Sequence, residues 1–221
     1  LVGFGTASDK PRWPDDSATS ADHAAAAGFA DAEAAARRIE EWRNGGLRVL
    51  RSAAAREALE DALPALITAL GRAPHPDEAL ARFDRLVSGL PSAINFFNLL
   101  AARPQLLATL VAVLTHAPAL ANDLSNRAEL IEGLIDASVF NDAAEPGVLA
   151  ARMAAGPTDD YERMLDHVRR VVGEHRFALG VQLVEGVRDP LTVSRGYADI
   201  ADAALQCLTA ATVGEFEAQH G

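Results

Sequence analysis

One cysteine, Cys207, is all that a chain of 221 residues contains. An internal disulfide is therefore excluded, and the usage fits a reducing compartment, so the chain reads as cytoplasmic. Aromatic residues are also scarce, at 5% of the chain. β-Branched residues are sparse too, and these are the types that favour pleated sheets. No segment alternates as a convincing strand does. A basic surplus is missing, since the formal net charge is −11. Duplex nucleic acids and anionic membrane surfaces both draw on Lys and Arg surpluses, so neither is an expected partner. Long apolar runs are absent as well. The longest, Leu106 to Leu114, is too short to span a bilayer and is interrupted by Thr109. No basic-then-apolar leader opens the chain, and it begins at Leu1 and not Met, which fits a piece of a longer polypeptide.

Catalytic signatures are missing in the same way. Gly3-Phe4-Gly5 has no preceding strand and no continuation into a phosphate loop. In Ala7-Ser8-Asp9-Lys10 the second metal-binding carboxylate of an Asp-x-Asp pair is replaced by Pro11. Asp15-Asp16 and Asp159-Asp160 are adjacent pairs whose side chains diverge, the first reading as a solvated loop and the second as a helix cap. His167 and Glu174 share a helix face but lack the Glu-x-x-His partners of a bundle metal site. Cys207 sits among Ala203, Ala204 and Leu208, where a thiol packs as a small hydrophobe. No catalytic, metal or cofactor-binding residue is assigned.

What is present is alanine, about a fifth of the chain by count, the residue with the lowest cost of entering a helix. Hydrophobic residues make up 49%, enough for a core. The expected class is all-α: a bundle of roughly 8–10 helices, ending in a long antiparallel pair. Residues 1–24 read as a loop or arm, 25–72 as one helical segment and 77–221 as a helical bundle. The boundary falls at Gly71-Arg72-Ala73-Pro74-His75-Pro76, because two prolines cannot continue a helix. Asp31 caps the first helix and Gly45-Gly46 stop it. The next helix runs from about Leu47 toward Leu70, with Pro64 kinking or dividing it. Pro91, Pro104 and Pro118 fall near helix starts. Asp159 with Glu162 resembles a capping box, and Asp189-Pro190 starts the last helix. From Phe177 to Val184 nearly every side is apolar or small, so that stretch is expected to be buried centrally.

Two features carry interaction readings. Arg48, Arg51 and Arg56 belong to the densest basic run and could line one side of a helix as a partner surface; the plainer reading pairs them with Glu57 and Glu60. Gln182 lies in the buried stretch between Gly180 and Gly186. It reads as an inter-helix hydrogen bonder where the glycines allow close approach, and alternatively as part of a binding surface.

An ordered set of segments carries a resemblance. It comprises Phe83-Asp84-Arg85-Leu86, Arg103-Pro104-Gln105-Leu106-Leu107, His116-Ala117-Pro118-Ala119-Leu120 and Glu129-Leu130-Ile131-Glu132-Gly133-Leu134. It continues with Asp160-Tyr161-Glu162, His175 through Gly186, and Tyr197-Ala198-Asp199-Ile200-Ala201-Asp202. Together, with Gly28-Phe29 and Ile39-Glu40-Glu41-Trp42, these resemble the bifunctional glutamine synthetase adenylyltransferase/adenylyl-removing enzymes from about residue 25 onward. The resemblance implies a parent with two nucleotidyltransferase units, using ATP and Mg²⁺, that adds AMP to glutamine synthetase and removes it by phosphorolysis. It implies glutamine synthetase, a nitrogen-signalling regulatory protein and the flanking nucleotidyltransferase domains as partners. The chain departs from the parent in lacking any Gly-Ser-Asp-x-Asp metal motif. It therefore resembles the helical middle, a linker or scaffold with no catalytic residue of its own. A free-standing helical interaction module is the alternative.

Overall fold

The computed structural model describes residues 13–14, 16–141, 144–157 and 160–221. Among the described residues the chain is all-α, with eleven α-helices, two 3₁₀ turns and no strand. It divides into two compact units, one ending at Thr115 and the other beginning at His116. This replaces the boundary expected at residues 71–76. The prolines there end one helix and start another. The helices on either side, Ala53–Gly71 and Pro76–Gly89, nevertheless lie in one unit.

The first unit contains α1 (Ser17–Ala27), α2 (Ala32–Arg43), α3 (Ala53–Gly71), α4 (Pro76–Gly89), α5 (Ile94–Ala102) and α6 (Pro104–His116), whose last residue opens the second unit. Residues 17–24, expected as part of an arm, instead form most of α1. Asp16 caps it by accepting from the Thr19 N–H at 2.8 Å. Trp13 is buried, and the Pro14 carbonyl accepts from Arg43 Nη1 at 2.8 Å. Gly3-Phe4-Gly5, Ser8, Asp9 and Asp15 lie outside the described residues.

Helix α1 ends in a left-handed turn at Gly28 (φ 118°), where the Phe29 N–H reaches back to Ala24 O at 3.2 Å. That turn lies directly against Gly71 at the end of α3, so a β-carbon on either glycine would collide with the other segment's backbone. Asp31 caps α2 as expected. A 3₁₀ turn, Arg48–Leu50, and the Ser52 cap precede α3, so the helix expected from Leu47 begins at Ala53. Helix α3 runs unbroken through Pro64, with Leu59, Leu63, Leu66, Ile67 and Leu70 buried on both sides of it. Core packing thus holds the helix where the proline alone would divide it. Trp42, Phe83 and Phe97 are fully buried and meet as an aromatic cluster, with Trp42–Phe83 centroids 5.5 Å apart. The Trp42 indole donates to Asp84 Oδ1 at 2.7 Å, which satisfies the one polar atom that the cluster buries.

The second unit contains α7 (Pro118–Asn126), α8 (Glu129–Ile135), a 3₁₀ turn (Ser138–Phe140), α9 (Pro146–Ala154), α10 (Tyr161–Val184) and α11 (Pro190–His220). Pro104, Pro118 and Pro190 occupy first helical positions, where the missing N–H leaves no bond unmade. Asp160 caps α10, accepting from the Arg163 N–H at 3.1 Å, while the Asp159 expected at the capping box lies outside the described residues. Helices α10 and α11 form the expected long antiparallel pair. Their core holds Met164, Val168, Val171 and Leu179 of α10, Val193, Ile200 and Ala203 of α11, and Leu149 and Met153 of α9.

Candidate functional site

Helix α10 places a file of polar side chains, His167, Arg170, Glu174 and His175, along the face that α9 borders. His167, Arg170 and Glu174 follow at steps of three and four residues, which puts them along one side of the helix, and His175 adjoins Glu174. Their bonds form a connected chain. Arg170 Nη2 donates to His167 Nδ1 at 3.1 Å, and Arg170 Nη1 pairs with Glu174 Oε1 at 2.8 Å. His167 Nε2 then donates to the Arg152 carbonyl at 2.8 Å, which ties the last turn of α9 to α10. Arg152 Nη1 donates to His175 Nε2 at 3.2 Å. A guanidinium has only donors, so these contacts fix both tautomers: the proton sits on Nε2 of His167 and on Nδ1 of His175.

Beside this chain opens a cavity of about 380 Å³. Arg152, Glu174 and His175 form one wall; Leu149, Leu179 and Ile200 supply apolar surface. The 3₁₀ turn supplies a third side, with Ser138, Val139 and Asn141. That turn is entered through Ala137, the one non-glycine residue at positive φ (62°) among the described residues. Asp136 Oδ1 accepts from the Ser138 N–H at 2.8 Å, and these bonds hold its carboxyl below the usual range. Gly196 lets α11 approach the cavity floor, since a β-carbon there would meet Leu179 Cδ1 at 2.7 Å.

Burial pushes the His175 imidazolium down from its ordinary value, and the Arg152 charge adds to that; Glu174 opposes both. At neutral pH the ring is therefore an uncharged acceptor for Arg152. Arg152 has no carboxylate partner among the described residues, whereas Glu174 is held by Arg170. The cavity wall thus carries one uncompensated positive charge in an otherwise acidic chain.

The residues expected to form a partner surface behave differently from one another. Gln182 is 1% exposed. Its amide donates to Val139 O at 2.5 Å and Asn141 O at 2.9 Å, and its carbonyl accepts from Arg188 Nε. With every role filled inside the protein, it pins the 3₁₀ turn to α10 and presents nothing outward. Of the two nearby glycines, Gly180 does allow close approach: a β-carbon there would meet Leu120 Cδ1 at 2.7 Å. Gly186 does not. It lies past the end of α10 at φ 66°, with open space around it. Of the Phe177–Val184 stretch, Phe177 and Leu179 through Gln182 are buried as expected, whereas Ala178 and Val184 are half-buried and Leu183 is 39% exposed. Arg48, Arg51 and Arg56 do not share a helix, because the 3₁₀ turn and the Ser52 cap intervene. Arg48 and Arg51 are exposed, while Arg56 Nη1 donates back to Arg51 O at 2.6 Å and Leu50 O at 3.4 Å. No ion pair joins these three to Glu57 or Glu60 among the described residues; Glu60 pairs with Arg43. Cys207 is half-buried, and burial pushes its thiol up, away from the reactive thiolate.

No model of a known protein family matches the chain. Individual relatives do. The chain is 37% identical over 185 residues, 83% of its length, to a protein of Mesorhizobium japonicum named bifunctional glutamine synthetase adenylyltransferase/adenylyl-removing enzyme. A protein of the same name from Agrobacterium fabrum is 36% identical over 88% of the chain. One from a Bradyrhizobium species is 32% identical along the entire chain. In each case the chain spans only about a fifth of the relative's length, 19%, 20% and 22% respectively. The expected resemblance therefore holds, and the chain is homologous to one segment of proteins bearing that name.

Proposed function

We propose that this chain is the helical linker and scaffold segment of a bifunctional glutamine synthetase adenylyltransferase/adenylyl-removing enzyme. The parent transfers AMP from ATP to glutamine synthetase and removes it by phosphorolysis, in the cytoplasm, with Mg²⁺ at catalytic units on other segments. The observation that carries this reading is identity of 32–37% along 83–100% of the chain against about a fifth of each relative. A likeness of that extent is that of a whole structural segment, not of a shared short motif. The sequence supports the division of labour, because it holds no Gly-Ser-Asp-x-Asp pattern on which two Mg²⁺ ions could be bound. The role of the segment is then mechanical: closely packed helices fix the geometry of the units joined to it. Glutamine synthetase and the nitrogen-signalling regulatory protein are partners of the assembled enzyme.

The test is direct. The purified chain, given glutamine synthetase, ATP and Mg²⁺, is expected to transfer no AMP. Given adenylylated glutamine synthetase, phosphate and Mg²⁺, it is expected to release no ADP. Metal-dependent turnover in either direction overturns the scaffold reading. The competing view, a free-standing interaction module, is separated by the reading frame around the gene: a start at Leu1 and a stop after Gly221 would overturn the segment reading.

A further inference from the structure

We infer that the cavity bordered by α9, α10, α11 and the Ser138–Phe140 turn is a binding site for a small organic monocarboxylate, held by Arg152. This goes beyond the scaffold role and does not depend on it. Three observations converge. Arg152 stands at the cavity wall with its only side-chain bond going to a neutral imidazole, so its charge is uncompensated among the described residues. A guanidinium fork matches a carboxylate with two parallel N–H···O bonds, which makes an oxyanion its natural complement. Next to it the wall turns apolar, through Leu149, Leu179 and Ile200, so the ligand has a carbon body as well as a charged head. The volume, about 380 Å³, falls in the range of small-molecule sites.

The same wall restricts the class further. Its one acidic side chain, Glu174, is already paired with Arg170 at 2.8 Å. A ligand ammonium group would therefore find no free anion there, and a zwitterion gains nothing over a simple anion. Gln182 is likewise spent on Val139, Asn141 and Arg188. The Ser138 side chain is engaged with Asp136, so the polar surface left for a ligand is Arg152 together with the side chain of Asn141, which suits one carboxylate and an uncharged body.

The experiment uses the intact 221-residue chain with ¹⁵N-labelled histidine, titrated with butanoate and benzoate while the His175 ring resonances are followed. Saturable shifts at about millimolar concentration are expected, as is typical for so small a ligand. Butanamide, 4-aminobutanoate and inorganic phosphate at equal concentration should give markedly weaker shifts. Arg152→Gln is expected to weaken butanoate by about tenfold or more, the loss of a charge-assisted bond. Arg152 is exposed, so this variant should fold. Ala178→Leu, which fills the cavity from α10, should abolish the shifts while leaving the helical circular dichroism intact. Unsaturable shifts, equal response to butanamide, tighter binding of phosphate or 4-aminobutanoate, or unchanged affinity in Arg152→Gln would each overturn the assignment.

Discussion

His175 is a half-buried imidazole beside a cation, and its consequence can be read from the sign of its shift. Burial and the Arg152 charge both hold its folded-state proton affinity below the ordinary value. The unfolded chain, with an imidazole near about 6.5, then binds more protons than the folded one over the interval below that value. This depressed group contributes stability above the unfolded value and loses it as pH falls through the folded one. The chain should therefore become easier to unfold as pH drops from neutral to below about 6.5. His175→Gln, which keeps an acceptor for Arg152 but cannot titrate, should flatten that decline. Urea midpoints of both proteins between neutral and mildly acidic pH make the comparison, and parallel curves would show that His175 does not carry the effect. Gln182 teaches a complementary lesson at this scale. The sequence marks it as a polar residue in an apolar stretch, and both a structural bond and a binding surface satisfy that description. Its burial and its bonds to Val139, Asn141 and Arg188 decide for the former.

At the scale of helices, local chemistry made much of the fold legible. Asp31 and Asp189 cap where they stand, and prolines at 104, 118 and 190 open helices, because each effect is decided within one turn. What was not legible depends on partners far along the chain. Pro64 fails to break α3 because leucines on either side are buried, and the arm expected before residue 25 is helical from Ser17 because an Asp cap starts it and α2 supports it. Arg152 escaped notice for the same reason: its partner His175 lies twenty-three residues away and no spacing rule connects them. The glycines separate these kinds of constraint experimentally. Gly28 has positive φ, and an added methyl would strike the Gly71 backbone, which cannot yield. Gly28→Ala combines left-handed strain of about 1–2 kcal/mol with overpacking of about 1–3 kcal/mol, so a loss of about 3 kcal/mol is expected. Gly180 has ordinary helical backbone, and its added methyl would strike the flexible ends of Leu120 and the Tyr197 hydroxyl. Gly180→Ala should cost less, because a helix gain of about 0.5–1 kcal/mol offsets part of the crowding. Chemical denaturation of the two variants tests the order, and an equal or greater loss at Gly180 would show that the α1–α3 crossing is less rigid than its contacts imply.

At the scale of the molecule, the division at Thr115/His116 carries a stronger claim than the proline-rich break at 71–76 suggested. A helix stop says only that the backbone turns; whether the flanking helices form one core depends on which side chains they bury together. Here Trp42 of α2 meets Phe83 of α4, which meets Phe97 of α5, so the elements before and after Pro74 and Pro76 share one interior. In the second unit α9, α10 and α11 share a core, and α7 and α8 add the buried Ala121, Leu124, Leu130, Ile131 and Leu134. The junction His116-Ala117-Pro118 coincides with a helix end and a helix start, so cutting there severs no helix. About a hundred residues with a core of this kind suffice for independent folding. Fragments 1–116 and 117–221 should each give helical circular dichroism and a cooperative thermal transition when expressed separately. The fragment 117–221 should also retain the His175 shifts on butanoate titration, because every residue that lines the cavity lies within it. A fragment cut instead at residue 73 should fail to fold, since it separates Trp42 from Phe83. Independent folding of that shorter piece, or a disordered 117–221, would return the boundary to the prolines and would mean that the burial seen in each unit requires the whole chain.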